Sequence, residues 1–184
     1  MITNIFEKTR PLNYLILAIA TLVCFSLYFY FNGLLNNGWA SVGYGILYFF
    51  ISISSLALIN FITLKNTLTK NNNFSVLLFF VFILFFPKIF RNDEILFSNF
   101  LLLLAFRRLM SLNSMKETKE KLFDASFWIF IAALFHFWSI IYIVLVFVSI
   151  VLHVSRDYKN WLIPFVALFS VAILFFAVNL IFEN

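Results

Sequence analysis

The sequence predicts an all-α protein, a polytopic bundle of transmembrane helices with six or seven membrane segments. Hydrophobic residues make up 64% of the 184 residues and charged residues only 11%, whereas a soluble domain carries about 25% charge. The charges lie in short clusters between apolar runs of about 16 to 30 residues, and roughly 20 apolar residues cross the hydrocarbon core of a bilayer. None of these runs has the polar stripe of a soluble amphipathic helix. We therefore expect one integral-membrane domain over residues 1–184.

The first two spans are predicted at residues 12–31 and 42–64. Pro11 suits the first turn of a helix, where its missing N–H costs no hydrogen bond. The run that follows is longer than the apolar region of a signal peptide and ends in bulky aromatic residues, so we expect an uncleaved anchor. Asn36-Asn37-Gly38 is typical of a turn and separates the two spans.

The third and fourth spans, at residues 74–87 and 95–110, are short. At about 1.5 Å per residue they reach about 21–24 Å, against a hydrocarbon core of about 30 Å. Such segments are expected to thin the bilayer, to pair as a tight hairpin, or to extend the cations at their ends into the headgroup layer.

The densest charge follows the fourth span and predicts a short helix on the membrane surface. Lys116 and Glu120 are four residues apart, as are Glu117 and Lys121, and this is the spacing of stabilising ion pairs on a helix. Asp124 precedes the next apolar run, where a carboxylate suits the N-terminal cap or the dipole of a helix.

Two arrangements are open for residues 125–154. A single helix would be about 45 Å long and would need a tilt of about 48°, beyond the usual range of about 0–40°. Two segments, at residues 125–137 and 138–154, would require a break near His136, where no glycine or proline marks one. The last span follows at residues 161–182, so the total is six or seven.

The distribution of Lys and Arg predicts the orientation, because these residues favour the cytoplasmic ends of membrane segments. With six segments, nine of the 13 cations lie on the side of the N-terminus and four on the other side. With seven segments, Arg156 and Lys159 change sides, and the division becomes eleven to two. Both arrangements place the N-terminus in the cytoplasm, and seven segments are favoured because they obey the rule better.

The composition excludes several classes of function. The net charge of +5 comes from residues at the ends of apolar runs, where lipid phosphates are the partners, so no nucleic acid is expected. The one cysteine, Cys24, lies inside the first span, which excludes a disulfide within the chain and a cysteine zinc site. The sequence has no phosphate-binding glycine loop, nucleophile elbow or metal motif, and no cofactor is predicted.

Several segments of the sequence are familiar in combination. They are Leu64-Lys65-Asn66, Leu68-Thr69-Lys70-Asn71-Asn72, Ser98-Asn99-Phe100, Ala105-Phe106-Arg107-Arg108-Leu109, Phe123-Asp124-Ala125-Ser126-Phe127-Trp128-Ile129 and Asn160-Trp161-Leu162-Ile163-Pro164-Phe165. Together they resemble a family of uncharacterised polytopic proteins of the bacterial inner membrane, classed as a domain of unknown function. The resemblance spans most of the chain, carries no motif with known chemistry and implies an inner-membrane location. Members of the family are longer, which implies that these residues are an N-terminal portion.

The segment between the third and fourth spans is the first candidate site, because it holds the acids predicted to face outward. Asp93 and Glu94 are the candidate catalytic carboxylates of an enzyme acting on a sugar or a lipid-linked sugar. Lys88 and Arg91 are the candidate ligands of its phosphate groups. The alternative interpretation is a hydrophilic turn with local charge pairing. The loop predicted between the first two spans has no acid, which weighs against the enzyme.

Two further sites are predicted on the cytoplasmic side and at membrane depth. Arg107 and Arg108, with the lysines that follow, are candidates for binding anionic lipid headgroups, although topology alone explains such a cluster. His136 is a candidate proton relay or ligand, and the alternative is a hydrogen-bonded interhelical histidine. The other polar residues predicted at membrane depth contain no acid. They are Asn60, Asn99, Ser139 and Asn179.

These observations favour a non-enzymatic scaffold or complex subunit of the inner membrane. The first alternative is a membrane enzyme similar to a glycosyltransferase or polymerase, working in envelope glycan or lipid assembly. The second alternative is a component of a transporter, which the lack of an acid at membrane depth makes less favourable. The predicted partners are membrane lipids, with anionic headgroups at the basic cytoplasmic loops, and other membrane proteins.

Overall fold

The computed structural model describes residues 6, 11–31, 39–69, 72–86, 92–154 and 157–182, and the regular structure in these ranges is helical. There are seven α-helices in this part of the chain. They are α1 (Pro11–Phe31), α2 (Trp39–Lys65), α3 (Phe74–Phe85), α4 (Asp93–Met110), α5 (Thr118–Phe135), α6 (Ile143–His153) and α7 (Lys159–Phe182). Short 3₁₀ helices at Ser111–Ser114 and Phe137–Tyr142 precede α5 and α6. The predicted all-α class is confirmed.

Four helical segments are long and apolar enough to cross a membrane. They are Leu12–Phe31, Val42–Lys65, Asp93–Ser114 and Lys159–Ile181, with mean hydropathies from 1.6 to 2.6. The helix Phe74–Phe85 and the stretch Phe137–His153 are apolar but shorter. This is the character of a multi-pass membrane protein with four candidate spans among the described residues.

The ends of the helices differ from the predicted spans where polar residues join an apolar run. α2 begins at Trp39, three residues before the predicted 42–64, and α4 begins at Asp93 rather than at residue 95. Asp93 and Glu94 thus form part of the first turn of α4. Carboxylates are favourable there because the helix dipole places positive potential at the N-terminus.

The prediction of a separate surface helix before residue 125 is wrong, since α5 is continuous from Thr118 to Phe135. Asp124 therefore lies in its second turn, and the predicted N-terminal cap at this residue is also wrong. Glu117 precedes α5 in the left-handed conformation, with φ 51°, and the predicted pair of Glu117 with Lys121 does not form. The charges in the first two turns explain why α5 is not among the long apolar helices.

The helical path breaks at His136, and the predicted break near this residue is confirmed. His136 is extended, with φ −134° and ψ 105°, and its N–H still donates to the carbonyl of Ala132. The N–H of Ser139 then donates to the carbonyl of His136 and begins the 3₁₀ helix. Four backbone bonds of an α-helix are lost at such a point, and the chain can change direction there without a glycine or proline.

The chain divides into two compact units, at residues 1–96 and 97–184. In the first unit, α1, α2 and α3 pack around Leu17, Leu56 and Val76. The prediction of one membrane domain over residues 1–184 stays a prediction, because two compact units can share one bilayer.

In the second unit, α6 folds back along α5. Val146 and Ile150 of α6 are fully buried in one core with Leu122 and Ala125 from the beginning of α5. Leu122 and Ile150 are 28 residues apart, which would be about 42 Å in a straight helix. A single straight helix over residues 125–154 is therefore excluded, and α5 and α6 form an antiparallel hairpin.

α7 packs against α5 through a stripe of buried residues. The stripe is Asn160, Pro164, Ala167 and Val171, and its spacing of three and four residues is that of one helix face. Ala167 and Val171 share a core cluster with Phe130 of α5. Beyond Ala172, the described residues of α7 are exposed on all sides.

Candidate functional site

Most polar side chains of the second unit lie at one of its ends, where α5 and α7 begin and α6 ends. We call this end the basic face. It consists of Arg108, Asn113, Lys119, Lys121, Asp124, His153 and Asp157. The residues come from α4, the loop after α4, α5, α6 and the turn before α7. They meet because the chain reverses at His136.

Arg108 forms an ion pair with Asp124, joining the last turn of α4 to the second turn of α5. Its Nη2 lies 2.9 Å from the Asp124 Oδ2, and the two side chains are 45% and 35% exposed. Solvent weakens a pair this exposed, so its main effect is to set the register of the two helices. The predicted site residue Arg108 thus has a partner within the chain, and Arg107 beside it is half-buried and also in contact with another group.

Lys121 is the most deeply buried charged residue of the basic face, at 8% exposure. Its Nζ donates to the carbonyl of Ser111 at 3.0 Å and to the Oγ of Ser114 at 2.7 Å. The Ser114 hydroxyl donates in turn to the Ser111 carbonyl. A buried ammonium is costly unless such acceptors replace water, so Lys121 fixes the loop between α4 and α5.

Replacing Lys121 with methionine is expected to destabilise the folded protein by about 1–3 kcal/mol, because the Ser114 hydroxyl loses its donor and the Ser111 carbonyl loses one of its two donors. Methionine keeps the apolar stem, so the hydrogen bonds are the main change. The matched control is Lys116→Met, at an exposed residue of the same loop, where a change within about 0.5 kcal/mol is expected. Thermal unfolding in detergent measures both, and equal effects would contradict the structural role of Lys121.

His153 closes the basic face from the C-terminal end of α6. Its Nδ1 lies 3.1 Å from the carbonyl of Ser149, and its Nε2 lies 2.6 Å from the side-chain oxygen of Asn113. A carbonyl oxygen only accepts, so the proton is on Nδ1. The amide of Asn113 carries an acceptor and two donors, so it can pair with Nε2. This contact holds the end of α6 beside the loop before α5.

Asp157 caps α7 and pairs with α5. Its Oδ1 accepts from the backbone N–H of Lys159 at 3.1 Å, and its Oδ2 lies 3.4 Å from the Nζ of Lys119. The pKa of this carboxyl is lowered, mainly by the Lys159 hydrogen bond and further by Lys119. The stabilisation is therefore present above the pKa of the unfolded chain and is lost as the pH falls through the folded value.

The predicted acidic site is only partly described. Asp93 and Glu94 are exposed at the start of α4, and the side chain of Asp93 lies close to that of the buried Tyr48. Lys88 and Arg91 lie outside the described residues. The catalytic and phosphate-binding roles stay predictions.

His136 lies at the tip of the hairpin, half-buried, next to the exposed Phe137 and Trp138. Ser139 forms a buried hydrogen bond with Ser98 of α4, which holds the tip against that helix. Across the residues that the structure describes, no three His, Cys, Asp or Glu side chains are grouped as a metal site would require. The role of His136 as a relay or ligand stays a prediction.

The remaining polar residues predicted at membrane depth have different surroundings. Asn60 lies in a polar cluster with Tyr14 and Asn73 in the first unit. Asn99 lines a cavity of about 230 Å³ in the second unit, and Asn179 is exposed in α7.

Sequence reasoning missed Tyr14 and Asn73. Their signal is weak, since Tyr14 is one of seven tyrosines and Asn73 belongs to an asparagine run typical of loops. It also missed Lys121 as a buried group, because the charge density around this residue favours an exposed surface.

No protein-family model, curated protein or solved structure matches the chain.

Proposed function

We propose that this chain is a non-enzymatic subunit or scaffold of the bacterial inner membrane, with seven membrane segments and a cytoplasmic N-terminus. The observation that supports the proposal is that the polar groups of the basic face bind partners within the protein. Arg108, Lys119 and Lys121 each bind an acceptor within the second unit and so join the ends of its helices. Groups arranged in this way support a structural role.

The proposed topology rests on the reversal at His136. The ion pair of Lys119 with Asp157 brings the start of α7 to the same end of the unit as the start of α5. Lys159 then lies on the side of Lys116 and Lys119, which is the side that the division of eleven to two, predicted for seven segments, would give it. Such a division favours the cytoplasm for this side. The resemblance in sequence supports the inner membrane of a bacterium as the location.

The partners in this proposal are lipids and another membrane protein. The cations of the basic face lie at the level where anionic headgroups would meet them. α7 offers a contact surface for a protein, because α5 covers it only as far as Val171. The rest of α7 presents large apolar side chains such as Ile173 and Phe176, which are 66–67% exposed. We place the contact with a partner helix there.

Neutralising the two outward carboxylates distinguishes this role from the enzyme. We expect Asp93→Asn with Glu94→Gln to accumulate in the membrane like the wild type and to complement a deletion strain fully. The reason is that no reaction depends on these groups in a scaffold. Complementation is measured by growth and envelope integrity at matched membrane levels of the two proteins.

Loss of complementation at a normal membrane level would reject the scaffold and favour an enzyme of envelope glycan or lipid-linked sugar assembly. A lowered membrane level would instead show that Asp93 acts through its contact with Tyr48. The single variants Tyr48→Phe and Glu94→Gln separate these outcomes, because only the first removes the hydroxyl beside Asp93.

A further inference from the structure

A cavity of about 260 Å³ lies between α1 and α2 in the first unit, with Val76 of α3 at its edge. Most of its wall is apolar. The apolar residues are Leu17, Ala18, Ile53, Leu56, Ala57 and Val76, and the polar ones are Tyr14 and Asn60. At the ~30 Å³ that a water molecule occupies, the volume fits about eight groups of the size of a methylene. A ligand that fits this cavity would be a short apolar chain with one polar end.

The hydrogen bonds at the polar end determine what that end can offer. The Tyr14 hydroxyl lies 2.8 Å from the Asn60 side-chain oxygen and 2.9 Å from that of Asn73. A hydroxyl has one proton, so it donates to only one of these amides. Asn73 is fully buried, and its Nδ2 has no partner as placed. A rotated Asn73 amide therefore donates to Tyr14, and Tyr14 donates to Asn60.

This chain of bonds leaves the Nδ2 of Asn60 as the free donor at the cavity. Its oxygen is engaged by Tyr14, and no acceptor among the described residues binds its Nδ2. A ligand here must therefore bring an acceptor. None of the residues that line the cavity is charged, so the acceptor is a neutral oxygen such as a carbonyl.

The position of Asn60 along α2 fits the depth of a lipid ester. Asn60 is five residues before Lys65, the last residue of α2, which is about 7.5 Å along the axis. The headgroup layer of each leaflet is about 5–8 Å thick, so a phosphate at Lys65 places the ester carbonyls near Asn60. Lys65 is exposed and contacts the ring of Phe61, 5.3 Å away, with no carboxylate among its described contacts.

We propose that the first unit binds one glycerophospholipid. The first carbons of one acyl chain occupy the cavity, the ester carbonyl of that chain accepts from the Asn60 amide, and the lipid phosphate pairs with Lys65. This inference rests on the insertion of the chain in a membrane and not on the scaffold role, which the carboxylate variants test separately.

The test uses two lipids that differ only in the presence of their two ester carbonyls. Purified full-length protein in detergent is titrated with a diacyl phosphatidylglycerol and with its diether analogue, and retained lipid is counted by native mass spectrometry. We expect one diacyl lipid to be retained, with two- to tenfold weaker retention of the diether, as the loss of one hydrogen bond implies. Asn60→Leu should lower the retention of the diacyl lipid to that of the diether and leave the retention of the diether unchanged.

Three further variants and one control complete the test. Ala57→Phe, which fills the cavity, should abolish retention of both lipids, and Ala18→Leu is the smaller change if that variant does not fold. Lys65→Gln should weaken the retention of both lipids equally. Asn179→Leu removes an exposed asparagine from α7 and should change nothing. Equal retention of the two lipids by the wild type, or retention unaffected by filling the cavity, would overturn the proposal.

Discussion

Replacing Ile150 with alanine is expected to destabilise the protein by about 2 kcal/mol or more. Ile150 is fully buried in the core that α6 forms with the start of α5 and the end of α4. The truncated side chain leaves a cavity whose walls lose their dispersion contacts. The lower end of the usual range for isoleucine applies, because lipid solvates apolar groups about as well as the protein interior does.

Leu152 is the matched control, since it lies two residues further along α6 and is 71% exposed. Leu152→Ala should change the free energy of unfolding by no more than about 0.5 kcal/mol. Reversible unfolding in mixed micelles of a mild detergent and dodecyl sulfate measures both variants. Similar losses for Ile150 and Leu152 would mean that α6 does not fold back onto α5.

The membrane class and most helix positions could be predicted from the sequence, because they follow from a single property. An apolar run has to be helical in lipid, where every backbone N–H and C=O must find its partner within the segment. The run at Leu12–Phe31 and the one ending at Lys65 are therefore found where they were expected. The break at His136 was predicted from length and charge balance, which are also properties of the whole segment.

The use of individual charges could not be predicted in this way. Lys121 and Asp124 lie in a dense charged segment, and local spacing favoured a surface helix with ion pairs along it. Contacts distant in sequence decide the outcome instead, because Arg108 pairs with Asp124 and the loop before α5 encloses Lys121. Such contacts depend on how the helices pack, and helical spacing alone carries no information about them.

The candidate sites show the same limit. Asn60 stood out in the sequence as a polar residue inside an apolar run, which is a local signal. Its partners Tyr14 and Asn73 come from two other helix ends and become visible only when α1, α2 and α3 are packed together. The chemistry of Asp93 and Glu94 is still a prediction, because the residues that precede them lie outside the described ranges.

The central claim is that the chain reverses at His136, so that both ends of the stretch 125–154 lie at one membrane face. Single-cysteine variants in a Cys24→Ser background test it through labelling with a membrane-impermeant maleimide. Lys116→Cys and Tyr158→Cys place the probe before α5 and before α7, at residues that are both exposed. Asn92→Cys, exposed before α4, reports the opposite face.

In intact cells we expect the Asn92→Cys variant to be labelled and the Lys116→Cys and Tyr158→Cys variants to be protected. All three should react once the membrane is opened. The account requires the Lys116→Cys and Tyr158→Cys variants to behave alike in every condition. Labelling of the Tyr158→Cys variant from outside, with the Lys116→Cys variant still protected, would contradict the reversal.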